Sequence, residues 1–274
     1  MWLISVLVLV PVFYVLSGRQ FPDLAIEQLN VFFPKDVAPS EQLVALGCIA
    51  GAFIAASPLH KIVRYLPTVV HELGHAFTAG VLGGRPKNIT ISLDTSGLAI
   101  YEPPMNWGKI RGTLVSLAGY PAPSIAALAA VMATQAGHPQ AWFAFAAGTL
   151  AVSIVLLIRN FWGFVWTAGA VAASYFGSPQ IPLPMIGAVV SGVAGYLAVE
   201  AHRHAYLQWV IIRKFPGSGA DAEKVARAWR MNPPFIAFLH LLSVVGIGGY
   251  SIYLAVNPYW TEIQDWVQEA IKVS

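Results

Sequence analysis

Long stretches of the chain are apolar and almost free of charged side chains, and short polar connections separate them. Such stretches predict membrane-spanning helices, because a helix needs roughly 20 apolar residues to cross a hydrocarbon core of about 30 Å. The predicted spans are Trp2–Gly18, Leu43–Leu59, Tyr65–Leu82, two within Thr113–Ile158 on either side of 137–139, two within Phe161–Val199 on either side of 178–184, and Phe235–Trp260. We therefore expect an all-α polytopic membrane protein with about seven or eight transmembrane helices. The first span lacks a basic flank and an evident cleavage site, so we interpret it as retained.

Two segments have patterns that do not suit a membrane span. In Gly83–Asn106, two glycines end the preceding helix, and residues such as Ile89 and Ile91 then alternate with polar residues. This period of two on either side of a turn predicts a small β-hairpin, embedded in the membrane between two helices. The second segment, His202–Pro234, is rich in Lys and Arg, and residues 220–229 within it predict a short surface helix.

The composition is typical of a membrane protein. Hydrophobic residues make up 57% of the chain, charged residues 11%, and the mean hydropathy is +0.63. A soluble domain has about 25% charged residues, so the composition excludes a soluble protein, a disordered chain and a nucleic-acid-binding chain. Most basic residues lie on connections that fall on one side of the predicted spans, which the positive-inside rule places in the cytoplasm of a multi-pass cell-membrane protein. Arg85 and Lys87 conflict with this orientation, because they follow a helix that starts on the cytoplasmic side.

The predicted span Tyr65–Leu82 contains an HExxH motif formed by His71, Glu72 and His75. Residues i and i+4 share a helix face, so both imidazoles can bind one Zn²⁺. Zinc lowers the pKa of a bound water towards about 7, and a nearby carboxylate can take its proton. A chance match on a polar helix face is the alternative, but ionisable groups inside an apolar span are costly and usually functional. We therefore predict His71 and His75 as zinc ligands and Glu72 as the general base.

The order of the short motifs resembles that of site-two-protease-like intramembrane zinc metallopeptidases, and most closely their compact M50B branch. The resemblance covers about residues 66–254. Besides HExxH, it is carried by Gly83-Gly84, Ser96-Gly97, Ala118-Gly119-Tyr120, Arg159-Asn160 with Gly163, and Asp221-Ala222 before the final span. It implies a membrane metallopeptidase with a hairpin after the metal-binding helix.

The third zinc ligand is open at this point. Better-known relatives carry an Asn-x-x-Pro…Leu-Asp-Gly motif whose Asp is the third ligand, but no Asp follows Asn160 in its span. Asp221 is the first choice, because a carboxylate is a normal third ligand, although it also suits the first turn of a capped helix. Asn160 is next, as an amide ligand or an oxyanion donor, with a polar contact between helices as its alternative. Asp94 is third, since an aspartate in a hairpin turn usually serves the turn.

We divide the chain into N-terminal transmembrane helices at 1–64, a metallopeptidase core at 65–177, and C-terminal spans with a basic cytoplasmic loop at 178–274.

The expected function is zinc-dependent endopeptidase cleavage of a membrane protein substrate within the lipid bilayer, with no nucleic acid partner. The hairpin Asn88–Ile100 offers a strand edge that could pair with an unwound substrate segment. A catalytically inactive scaffold of the same fold and, less favoured, a transporter are the alternatives. A transporter is expected to show repeats or paired interrupted helices, which the sequence lacks.

Overall fold

The computed structural model describes residues 41–177, 180–259 and 264, which are mostly helical with one small antiparallel sheet. The helices are α1 Glu41–Ala56, α2 His60–Val63, α3 Tyr65–Val81, α4 Lys109–Ala118, α5 Pro121–Gln135, α6 Pro139–Leu156, α7 Phe161–Gly177, α8 Leu183–Lys214, α9 Asp221–Trp229 and α10 Pro233–Val256, followed by a 3-10 turn at Asn257–Tyr259. The strands are β1 Arg85–Ile91 and β2 Gly97–Glu102. The helical class and the hairpin are therefore confirmed, whereas the predicted span Trp2–Gly18 lies outside the described residues.

Three helical segments in the described part of the chain are long and apolar enough to cross a membrane. They are Pro139–Leu156, Met185–Lys214 and Pro233–Tyr259. The α4–α5 pair makes a fourth candidate if its 60° bend is counted within one span. The helices α1, α3 and α7 are shorter, with 16, 17 and 17 residues. This pattern supports a membrane protein, while the total of seven or eight spans stays a prediction.

The long helix α8 packs against α1, α5 and α10. A Cβ atom added at Gly47 of α1 would lie 2.1 Å from the carbonyl oxygen of Ala188, and one at Gly51 would lie 1.8 Å from that of Gly192. Small residues four positions apart allow two helix backbones to approach closely, which is the common way that helices associate in lipid. Because the residue numbers rise together along this contact, α1 and α8 run in the same direction.

The hairpin lies along α3, with its turn beside the first residues of that helix. The Tyr65 hydroxyl donates a hydrogen bond to the carbonyl of Leu93 at 2.6 Å. The open end of the hairpin, where Arg85 is opposite Glu102, lies towards the other end of α3, about 25 Å away. There Gly84 lies against the ring of Trp107, just before α4. Arg85 and Lys87 therefore share an end of the structure with the basic start of α4, whereas Lys61 and Arg64 come just before α3 and lie at its other end. The side of the membrane on which these basic residues lie stays a prediction.

Strand β1 is hydrogen-bonded on both of its edges. On the side away from β2, the Ile89 amide donates to the Leu157 carbonyl at 2.7 Å, and the Arg159 amide donates to the Ile89 carbonyl at 3.1 Å. The Asn160 side chain continues this pairing, because its Nδ2 donates to the Ile91 carbonyl at 2.7 Å and its Oδ1 accepts from the Ile91 amide at 3.0 Å. The outer edge of the hairpin is therefore the edge of β2.

Candidate metal centre

Helix α3 directs the two histidines of the HExxH motif to one point. Because they are one turn apart on a regular helix, the Nε2 atoms of His71 and His75 face each other at 3.1 Å. The two rings meet edge to face, with centroids 4.8 Å apart. Converging imidazole nitrogens of this kind are suited to hold a metal ion.

Asp221, the first residue of α9, brings a carboxylate oxygen to both imidazoles. Its Oδ2 lies 3.0 Å from Nε2 of His75 and 3.4 Å from Nε2 of His71. Ligand atoms around a tetrahedral zinc ion with bonds of about 2.0 Å are about 3.3 Å apart, so all three edges of this triangle fit such an ion. Within the described ranges, these three residues form the one group of His, Cys, Asp or Glu side chains that could hold a metal.

Gly119, at the bend between α4 and α5, leaves the space in front of the two imidazoles free. A Cβ atom at this position would lie 2.4 Å from Nε2 of His75 and 2.6 Å from Nε2 of His71. Its backbone angles, φ −64° and ψ −56°, are allowed for any residue. Glycine is therefore required here for room and not for backbone conformation, and both the donor set and the free volume fit a metal ion.

Neighbouring groups orient the two histidines. The Nδ1 atom of His75 lies 2.7 Å from the Val115 carbonyl oxygen. A carbonyl oxygen can only accept, so Nδ1 carries the proton and the lone pair of Nε2 is left for a metal. The ring of His71 meets Tyr120 edge to face at 4.6 Å between centroids, and Tyr120 stacks on His240 at 5.1 Å.

Glu72 is buried, with 5% of its surface exposed, and its carboxylate lies against strand β2. A Cβ atom at Gly97 would be 2.5 Å from Oε1 of Glu72. The carboxylate also forms a hydrogen bond with the backbone of Ala99. Ile89, opposite Ala99, directs its amide and carbonyl away from β2, so the polar backbone atoms of Ala99 point to the outer edge. Glu72 therefore sits at the outer edge of the hairpin.

The two histidines of α3 favour the ionised form of Asp221. Burial alone would raise the pKa of Asp221, but its interactions with His71 and His75 outweigh burial and hold the pKa well below its usual value. Its second oxygen, Oδ1, accepts from Lys224 Nζ at 2.9 Å. Burial alone would lower the pKa of Lys224, but the neighbouring Asp221 carboxylate raises it. An ionised carboxylate is the form that binds a metal.

Asp221 does not serve as a side-chain cap of α9, and Glu223 instead holds the loop that precedes this helix. The residue before α9, Ala220, makes no side-chain cap. The two carboxylate oxygens of Glu223 instead accept hydrogen bonds from the backbone amides of Gly217 at 2.8 Å and Gly219 at 2.7 Å. The sequence analysis missed this role of Glu223, because a glutamate three residues after the cap normally accepts from the cap amide, whereas Glu223 accepts from loop amides before it.

The other two candidates for the third ligand lie elsewhere in the fold. Asn160 uses both polar atoms of its amide on the backbone of Ile91. Asp94 is exposed in the hairpin turn, where its Oδ1 accepts from the amide and the hydroxyl of Ser96. Both side chains therefore stabilise the hairpin, and Asp94 does not belong to the group around His71 and His75.

The apolar helices and the histidine–carboxylate centre together point to the class of membrane metallopeptidases. A family model described as Peptidase M50B-like matches residues 44–250, so the chain belongs to this family. The resemblance that the sequence motifs predicted is thereby confirmed. Comparison with curated proteins and with solved structures gives no match.

Proposed function

We propose that the protein is a membrane-embedded zinc endopeptidase that hydrolyses peptide bonds of membrane-associated proteins. The observation that carries this proposal is the triangle of His71, His75 and Asp221, with the buried carboxylate of Glu72 beside it, in a chain of the M50B-like family. Two imidazoles and a carboxylate are a normal ligand set for catalytic zinc.

The residues around the centre have separate roles in the proposed reaction. Zinc, when bound, activates a water and polarises the scissile carbonyl. His71, His75 and Asp221 hold the ion, and the hydrogen bond between His75 and Val115 fixes the ring that presents Nε2. Glu72 takes a proton from the attacking water and transfers it to the leaving amine nitrogen, so its carboxylate is regenerated. General acid–base catalysis of this kind contributes about 10²–10⁴-fold to a rate.

The outer edge of β2 is suited to hold the substrate in an extended form. A transmembrane helix keeps its peptide groups in internal hydrogen bonds, so it must unwind before it is cut. An unwound segment can add as a strand to an unpaired edge. Because β1 is paired on both sides and Glu72 lies at Ala99, a strand added to β2 would pass beside the general base. We infer a membrane protein segment as the substrate and the lipid bilayer as its surroundings.

The test compares the wild-type protein with Glu72→Gln and His75→Ala. Glu72→Gln should retain zinc, measured by elemental analysis of the purified protein, but its cleavage rate should fall by about 10²-fold or more. His75→Ala should lose both zinc and cleavage. Cleavage is followed by proteomics of membrane proteins that accumulate uncut in cells expressing Glu72→Gln.

Two results would overturn the proposal in different ways. Absence of zinc from the purified wild-type protein would refute the proposed metal centre. Zinc in both wild type and Glu72→Gln, with identical membrane proteomes, would favour a catalytically inactive scaffold of the same fold.

A further inference from the structure

A surface cavity of about 680 Å³ lies where the end of α8, the following loop, α9 and the start of α10 meet. Three arginines line it: Arg213 from α8, Arg227 from α9 and Arg230 from the end of α9. Their side chains are exposed. Three positive charges around one concave surface favour an anionic ligand.

The lining of this cavity keeps an excess of positive charge, because its three arginines are offset by one carboxylate, that of Glu223. No carboxylate among the described residues lies within 4.0 Å of any of the three guanidinium groups. The acidic residue of the cavity lining, Glu223, already accepts hydrogen bonds from the loop amides of Gly217 and Gly219. Arg213 lies over the ring of Trp209, 4.7 Å from its centroid, which orients its side chain without removing its charge.

The backbone of Arg230 has a conformation that is uncommon for a residue other than glycine. Arg230 ends α9 in the left-handed conformation, with φ 55° and ψ 39°. The Met231 amide closes the turn on the Ala226 carbonyl at 2.9 Å, which is the usual geometry of a helix that ends in glycine. An arginine in a position that favours glycine carries backbone strain, and such strain is concentrated at functional sites.

The cavity also has apolar surroundings at the end of two candidate membrane spans. It lies between the end of the span Met185–Lys214 and the start of the span Pro233–Tyr259. Next to it, Phe215 is 66% exposed, and Met231 and Phe235 are exposed as well. Basic cavities between membrane helices bind anionic lipid headgroups, and exposed apolar side chains beside the charges suit the acyl chains.

We propose that this cavity binds the phosphate headgroup of an anionic phospholipid. Free inorganic phosphate is also an anion, but it would leave the apolar rim uncovered. A bound lipid would also join α8, α9 and α10, and α9 is the helix that carries Asp221. This effect on Asp221 rests on the proposed function, whereas lipid binding itself does not.

The test measures lipid binding to the full-length Glu72→Gln protein in detergent, so that proteolysis plays no part. Native mass spectrometry gives the affinity for the first molecule of dioleoyl-phosphatidylglycerol, with dioleoyl-phosphatidylcholine and inorganic phosphate as separate probes. The site variant is Arg227→Gln/Arg230→Gly, in which glycine suits the left-handed backbone. The control is Lys109→Gln/Arg111→Gln, which removes the same charge at the start of α4.

The site variant should bind phosphatidylglycerol about 25-fold more weakly, at about fivefold for each arginine. The control should change by less than about twofold, because its charges lie outside the cavity. Equal weakening in both variants, or equal affinity for phosphatidylcholine, would overturn the proposal. Displacement of the lipid by equimolar inorganic phosphate would assign the cavity to a soluble anion and would overturn the proposal too.

Discussion

The free space at Gly119 gives the sharpest prediction about the metal centre. In Gly119→Ala, the new Cβ atom would lie 2.4 Å and 2.6 Å from the two Nε2 atoms, whereas ordinary contact begins at 3.4 Å. The imidazoles must therefore move by about 1 Å, or α4 must move away. Metal–ligand distances tolerate deviations of only about 0.2 Å. We expect zinc affinity to fall by about 100-fold or more, since even changes around the ligands cost 10–100-fold.

The chain supplies a control glycine seven residues earlier, within α4. A Cβ atom at Gly112 of α4 meets nothing within 4 Å, so Gly112→Ala should leave zinc binding unchanged. Gly112→Ala favours helix formation by about 1 kcal/mol, and the backbone angles of Gly119 are allowed for alanine, so an unfavourable backbone conformation does not explain a loss of zinc in Gly119→Ala. The assay is competitive titration of each purified protein against a zinc chelator, with thermal unfolding as the check on folding. Unchanged zinc affinity in a folded Gly119→Ala protein would refute the placement of the metal between the histidines and this bend.

Three further predictions concern the ligands and the hairpin. Asp221→Ala should lose most of the bound zinc, and Asp221→Asn should bind zinc only in part. Full zinc occupancy and full activity in Asp221→Asn would show that Asp221 is not a ligand. Asn160→Ala should retain zinc in elemental analysis but speed amide hydrogen exchange at Ile91, because both hydrogen bonds to that backbone are lost; loss of zinc would make Asn160 a ligand instead. Zinc at 100 times its dissociation constant should raise the free energy of unfolding of the wild type and of Glu72→Gln by about 2.7 kcal/mol, measured by thermal unfolding. His75→Ala should show no such increase. An equal increase in His75→Ala would mean that the metal binds elsewhere.

Local patterns in the sequence predicted the elements of the fold that depend on neighbouring residues. The alternation around Ile89 and Ile91 predicted the hairpin, and the spacing of His71 and His75 placed both on one helix face. These predictions are possible because backbone hydrogen bonding and side-chain direction repeat over a few residues. The length of each apolar helix is less local, since packing and bends such as that at Gly119 decide where a helix ends.

The sequence by itself determined the apolar class of the protein, the HExxH helix and the hairpin that follows it. It ranked Asp221 first among three possible ligands without deciding between them. Only the tertiary structure decided that Asp221 lies 3.0 Å from His75 across 146 positions of the chain, while Asn160 pairs with Ile91. The physical reason is that the contact between Asp221 and the histidines depends on how α9 packs against α4 and α10. No periodic pattern within a single segment carries that information.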